Sequence, residues 1–206
     1  MVTNKGFIEG LTIVLCLVAV QGCVSTQYSQ VALGEVTLTP LVVTTADSSW
    51  NRAPGALTGF LPKGGQMWTR DGLLLDRLII LPGINNGGTL FISNNDSIVY
   101  PNYRRGMLPN EIVELTIGSL TVFFGQQALV ESSRLRPTRI GQQSAAMFDF
   151  RVNSSDSPTL QGRALAFVVE DQLQLMMYMA TEIHYFERNW VAVESLFSSV
   201  RMEESI

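Results

Sequence analysis

The sequence predicts an α+β fold: a central, mainly antiparallel sheet sandwiched between helices in an α/β/α arrangement, behind a secretory signal segment. Three observations predict it. Residues 163–180 read as two strands that are apolar on both faces, and such strands need cover above and below. The carboxy-terminal segment carries one apolar stripe at helical spacing. A short apolar run near the amino terminus has the length and flanks of a signal sequence.

The elements follow in chain order. Lys5 and the free amine, offset by Glu9, precede the unbroken apolar run Leu11 to Val20. As a helix, about ten residues rise ~15 Å, half of a ~30 Å bilayer core. Gln21, Gly22 and Cys23 come next. Val20, Gly22 and Cys23 resemble the lipobox of bacterial lipoprotein signals, from which Gln21 and the weakly basic start depart. Cys16 fits worse, because it would cut the apolar run short. The resemblance implies a lipoprotein signal peptide over 1–22, a flexible polar tether over 23–30 and a single α+β domain over 31–206. It implies that Cys23 carries palmitate-type acyl chains and anchors the protein to a membrane. Each buried CH₂ contributes about 0.8 kcal/mol, so several chains hold where one does not. Val24 is not Asp, which by the same resemblance favours the bacterial outer membrane, with the domain facing the periplasm. The competing readings are an ordinary signal peptide cut elsewhere and an uncleaved anchor. The mature chain has no cysteine besides Cys23, so no disulfide is available and the core alone must hold the domain.

Val31 to Val43 reads as extended, with Pro40 marking an edge or bulge. Ser49-Trp50-Asn51-Arg52 reads as a turn. Gln66 to Thr69 and Leu73 to Leu81 read as a hairpin about Asp71-Gly72. Residues 82–107 form a turn-rich excursion carrying Phe91, Tyr100 and Tyr103, either a gate over a pocket or a surface loop with a short strand at 90–92. Pro109, Asn110 and Glu111 start a helix on which Val113, Ile117, Leu120 and Phe124 recur, ended by Gly125. Leu129 to Arg139 and Ala145 to Val152 read as strands. In the second, Asp149 falls on the polar side, the ordinary place of a solvated charge. Leu165, Phe167 and Val169 share one face of the next strand; after a turn at Glu170-Asp171, Leu173, Leu175, Met177 and Met179 share a face of its partner. Phe186, Trp190, Val193, Phe197 and Val200 make the stripe of the final helix.

This order of elements resembles the PsbP-like fold. The segments "MLPNEIVEL", "RPTRIGQQSAAMFDF" and "IHYFERNWVAVESLFSSVR" are similar to those of lipid-anchored bacterial proteins of this kind, over most of residues 30–202. The likeness lies in packing motifs and not in chemical ones. It implies a non-catalytic accessory or binding module.

The residue inventory points the same way. Net charge is −4, against the basic face that a nucleic-acid binder needs. There is one histidine, His184, and neither a Gly-x-Ser-x-Gly pattern nor a phosphate-cradling glycine loop. No cofactor and no metal site is expected, and no enzymatic activity. Arg134, Arg136 and Arg139 cluster about Pro137; with Tyr100, Tyr103, Arg104 and Arg105 they are the candidate surface for a partner or an anionic ligand, the alternative being a solvated strand edge. The function expected is a lipid-anchored envelope lipoprotein whose domain contacts an envelope protein. The alternative is a small-molecule or lipid binding domain with a pocket gated by 82–107.

Overall fold

The computed structural model describes residues 27–203 apart from 48 and 126. The expected signal peptide and Cys23 lie outside the described residues. So does the first half of the expected tether, but its end belongs to the sheet: β1 (Ser29–Gln30) pairs with β4 (Asn51–Arg52).

β2 (Gly34–Leu38) and β3 (Leu41–Thr45) pair as a hairpin about Thr39 and Pro40. The stretch expected to run through an interruption at Pro40 is therefore two strands. Proline has no N–H to lose from a ladder when it sits in the turn. With β11 (Arg201–Met202) the hairpin forms a separate three-stranded sheet, order β11-β3-β2, which the sequence reading did not anticipate. Trp50, expected in a turn, is buried.

The main sheet has eight strands, β1-β4-β5-β6-β10-β9-β8-β7, with every neighbouring pair antiparallel. Its other members are β5 (Gln66–Thr69), β6 (Asp76–Ile84), β7 (Ala128–Ile140), β8 (Gln143–Ser154), β9 (Leu160–Val169) and β10 (Gln172–Thr181). The β5–β6 hairpin exists, but its turn is not a tight Asp-Gly pair. Residues 70–75 bulge out and β6 starts at Asp76. That carboxylate closes the loop, accepting from Thr69 Oγ1 at 2.7 Å and from the backbone N–H of Asp71 at 2.8 Å.

Two helices cover opposite faces. α1 (Pro109–Phe124) starts with Pro109 at its first position, where a missing N–H is harmless. Glu111 accepts from the Leu108 N–H at 2.7 Å, and Gly125 at φ 84° ends the helix. It lies on β7 and β8, while α2 (Tyr185–Ser198) lies on β10, β9 and β3. β10 is buried from Leu173 to Thr181, as expected of a strand covered on both sides. Alternate residues feed two cores. Ile79, Phe148, Phe150 and Met177 face the α1 side, where Leu115 and Leu120 meet them. Leu78, Leu165, Met176 and Tyr178 face the α2 side, with Phe186, Val193 and Phe197.

Residues 82–107 are more ordered than the expected loop. β6 takes in Pro82 to Ile84, Thr89 bridges to Asn102, and Leu90, Phe91 and Tyr103 are each 0% exposed. The segment completes the apolar cover of the α1 face.

Candidate functional site

The residues expected to form one surface are dispersed. Tyr103 is a core residue, and Tyr100 is half-buried with its ring edge-on to Phe91 at 5.8 Å. Arg104 reaches Glu111 at 3.9 Å, and Arg105 pairs with Asp171 at 3.0 Å. Arg134 and Arg136 turn instead to Asp149, at 3.6 and 2.9 Å, where Arg163 joins them. Arg139 stands exposed near the far end of β7. Asp149 is accordingly no solvated strand charge. It is 6% exposed, because the register sets Ser133, Asp149 and Arg163 side by side on three strands. Arg163 also lies over the Trp190 ring at 4.1 Å, so Trp190 is half-buried between Arg163 and the stacked Phe186. A cleft of about 440 Å³ opens beside Asp149, lined by Glu131, Ser133, Arg134 and Arg151. Arg151 pairs with Glu182. His184, at φ 80°, precedes α2 and is exposed; its Nε2 lies 3.3 Å from Arg188.

A more apolar concavity lies elsewhere. A groove of about 710 Å³ opens between the 70–75 loop, the 3₁₀ turn Gly55–Leu57 and the carboxy-terminal end of α1. Tyr28, Leu57, Phe60, Met67, Leu73 and Phe123 supply its walls. Leu74, 89% exposed, stands in its lining too. Phe60 and Phe123 meet with ring centroids 4.9 Å apart, and Phe91 backs Phe123 at 4.8 Å, so one wall is a continuous aromatic surface. Amid these apolar groups stands Arg77, half-buried, its guanidinium 5.9 Å from the Phe124 ring. Burial pulls its pKa below the ordinary guanidinium value, partly offset by the charge of Asp76.

The loop that forms the groove wall is braced from the α2 side. Asp71 accepts from Arg188, and from Asn189 Nδ2 at 2.7 Å. Burial raises the Asp71 pKa, but the bonds from Asn189 and Arg188 outweigh it and leave the carboxyl below its usual value. Asp76, 1% exposed, is pushed up by burial against the bonds from Thr69 and the loop backbone. The loop therefore hangs on two carboxylates, and Leu73 and Leu74 are held out at its tip. The sequence reading missed this groove. The one local signal was a charged pair, Asp76-Arg77, inside the apolar run from Leu73 to Leu81.

Among the described residues no group of three or more His, Cys, Asp or Glu side chains could hold a metal, and no helix is long and apolar enough to cross a membrane.

Comparison with solved structures settles the architecture. The cyanobacterial PsbP protein (CyanoP) of Synechocystis sp. PCC 6803 superposes with a TM-score of 0.55 at 8% identity, over 88% of this chain and 95% of that one. The domain has a PsbP-like fold. A protein from Bacteroides thetaiotaomicron aligns at a TM-score of 0.47 and 8% identity, over 84% of this chain and 50% of that one. A Pseudomonas aeruginosa protein of unknown function, a putative regulator by its description, aligns at 0.38 and 13% identity, over 82% and 94%. No protein-family model matches the chain, and no curated protein matches it in sequence.

Proposed function

We propose that the chain is a lipoprotein of the bacterial envelope whose PsbP-like domain is a non-catalytic binding module. In this reading Cys23 is acylated and holds it at the outer membrane, the domain faces the periplasm, and the binding surface is the groove about Leu74. The observation that carries the reading is the closeness in sequence of the groove to Cys23. Tyr28 stands in the groove wall, five residues after Cys23. At ~3.3–3.6 Å per extended residue, no more than about 18 Å of chain separates an acylated cysteine from the groove. A soluble surface gains nothing from a side chain as exposed as Leu74 beside other apolar groups, whereas a binding surface does.

The disposition of the carboxylates supports a non-catalytic role. Asp149 is held by arginines, Glu182 by Arg151, and Glu170 and Asp171 sit in an exposed turn. Acid–base work by a carboxylate pair needs two neighbouring groups in contrasting environments, free to exchange a proton with a substrate. Asp71 and Asp76 do differ in environment, but Asp76 is 1% exposed and both carboxyls are taken up by bonds from Arg188, Asn189, Thr69 and the loop backbone. A net charge of −4 supports a partner other than nucleic acid. A gate at 82–107 finds no support, because that segment is fastened into the core by Leu90, Phe91 and Tyr103.

Two variants in a deletion strain test the reading. Cys23→Ser loses metabolic palmitate labelling and leaves the membrane fraction. Leu74→Glu keeps label, membrane and fold but does not restore the strain's envelope defect. Membrane retention of unlabelled Cys23→Ser would remove the anchor from the proposal. Full restoration by Leu74→Glu would remove the groove.

A further inference from the structure

We infer that the groove takes a free long-chain fatty acid, its acyl chain against Phe60, Leu73 and Phe123 and its carboxylate on Arg77. This rests on the groove being the binding surface and adds the chemistry of the occupant.

Arg77 projects from β6 on the same face as Ile79 and Leu81, and its cross-strand neighbour is Met179. It is the one cation of the groove lining, and its contact there is the Phe124 ring. No described carboxylate lies within ion-pair distance of it, and it donates no hydrogen bond to a described residue. Asp76, next in sequence, points to the other face of the strand and is occupied by Thr69, Arg70 and Asp71. Asp71, the carboxylate that lines the groove, is taken by Arg188 and Asn189. Its guanidinium is half-buried and still reaches water, yet a partly desolvated cation among apolar walls attracts an anion more strongly than one in open water does. The end of α1 offers Arg77 the Phe124 ring but no carbonyl acceptor.

An anion brought by a ligand would supply the missing acceptor. The walls say what carries that anion, because side chains that are apolar apart from Asp71 and Arg77 match a hydrocarbon chain. A volume of about 710 Å³ is within the range of small-molecule sites. One planar guanidinium matches one carboxylate through two parallel N–H bonds. A phospholipid would bring a polar headgroup against Leu73 and Phe123, and the groove offers no second cation for it.

The test uses the intact acylated protein in neutral phosphatidylcholine vesicles and a palmitate bearing a diazirine near its methyl end. After illumination, mass spectrometry should find label in the peptides covering 55–60 and 119–124. Oleate should displace the probe at a concentration at least 10-fold lower than methyl oleate. Arg77→Gln should erase that difference, and Arg77→Lys should keep part of it. Should Arg77→Gln fail to fold, Leu74→Glu carries the test: it sets a carboxylate in the groove lining without touching the core, and must shrink the oleate preference. Equal competition by methyl oleate would overturn the role of Arg77 while leaving the groove a binding surface. Better displacement by lysophosphatidylglycerol than by oleate would assign the site to a phosphate and overturn the carboxylate. Label absent from both peptides would overturn fatty-acid binding altogether, whatever Leu74→Glu does in the deletion strain.

Discussion

Gly162 offers a sharp test of how the sheet and α1 are joined. It lies on β9 directly opposite Phe150 on β8. A Cβ added there would stand 2.1 Å from Phe150 Cζ and 2.3 Å from Cε2. Carbon atoms rest about 3.5–4.0 Å apart, so the ring would have to retreat by roughly 1.4 Å or more. It has nowhere open to go: Phe150 is 2% exposed in the core beneath α1. Overpacking of this kind costs about 1–3 kcal/mol. Replacing a strand glycine returns roughly 0.5–1 kcal/mol of backbone entropy. A contact of 2.1 Å belongs in the upper part of that range, about 2–3 kcal/mol, so Gly162→Ala should destabilise by about 1–2.5 kcal/mol, and at ~2–4 °C per kcal/mol the melting temperature should drop by roughly 2–10 °C. Scanning calorimetry of Gly162→Ala, Phe150→Leu and the double variant measures it. In the Phe150→Leu background the alanine should cost much less, because the smaller side chain leaves room for the Cβ. Additive losses, or an unchanged melting point for Gly162→Ala alone, would show that the ring does not hold this position as glycine.

Two further outcomes follow from the charge network. Asp149→Ala strands the guanidinium of Arg163, whose side chain is 15% exposed, and should cost about 3 kcal/mol in urea unfolding. Arg134→Ala, which removes a side chain 70% exposed and 3.6 Å from the same carboxylate, should change stability by less than about 0.5 kcal/mol. Equal losses would mean that Asp149 is not the hub. Asp71 has its folded pKa held below the unfolded value. Its contribution is whole above the unfolded pKa of about 3.9 and is lost as pH falls through the folded pKa, because the unfolded chain takes up the proton first. Asp71→Asn should be less stable than wild type at pH 7, and urea melts at pH 7 and pH 3 should show the gap narrowing in acid. A gap independent of pH would place the effect in packing and not in charge.

What could be read from the sequence was what local spacing encodes. The stripe of α2 and the doubly apolar β9–β10 hairpin repeat within a few residues, so periodicity alone shows them. Pro109, Glu111 and Gly125 marked α1 through terminal chemistry that is also local. The failures were questions of register and tertiary closure. Arg134 and Arg136 read as a basic cluster along β7, but pairing across three strands brings Asp149 and Arg163 to them. Tyr103 read as part of the candidate surface, yet the bridge between Thr89 and Asn102 lies beside it and it is 0% exposed. Asp-Gly at 71–72 read as a tight turn, but the Asp76 carboxylate rewards a longer loop with hydrogen bonds to its backbone.

Arg77 shows where the boundary falls between reading and seeing. In "LLLDRLII" a charged pair interrupts a strand whose neighbours are apolar on both faces. Alternation alone puts the two charges on opposite faces, so they cannot satisfy each other across the strand. Each must then find a partner in its own layer, or one of them is left over. Asp76 finds Thr69 and the loop backbone; Arg77, facing the end of α1, finds an aromatic ring. The sequence holds the first half of this reasoning, that two charges are separated by the sheet. Only the packing of α1, the 3₁₀ turn and the loop tip shows that the second charge ends in an apolar groove. A structural arginine would have been met there by a carboxylate or a helix carbonyl. One met by neither is the group that the proposed fatty acid would pair.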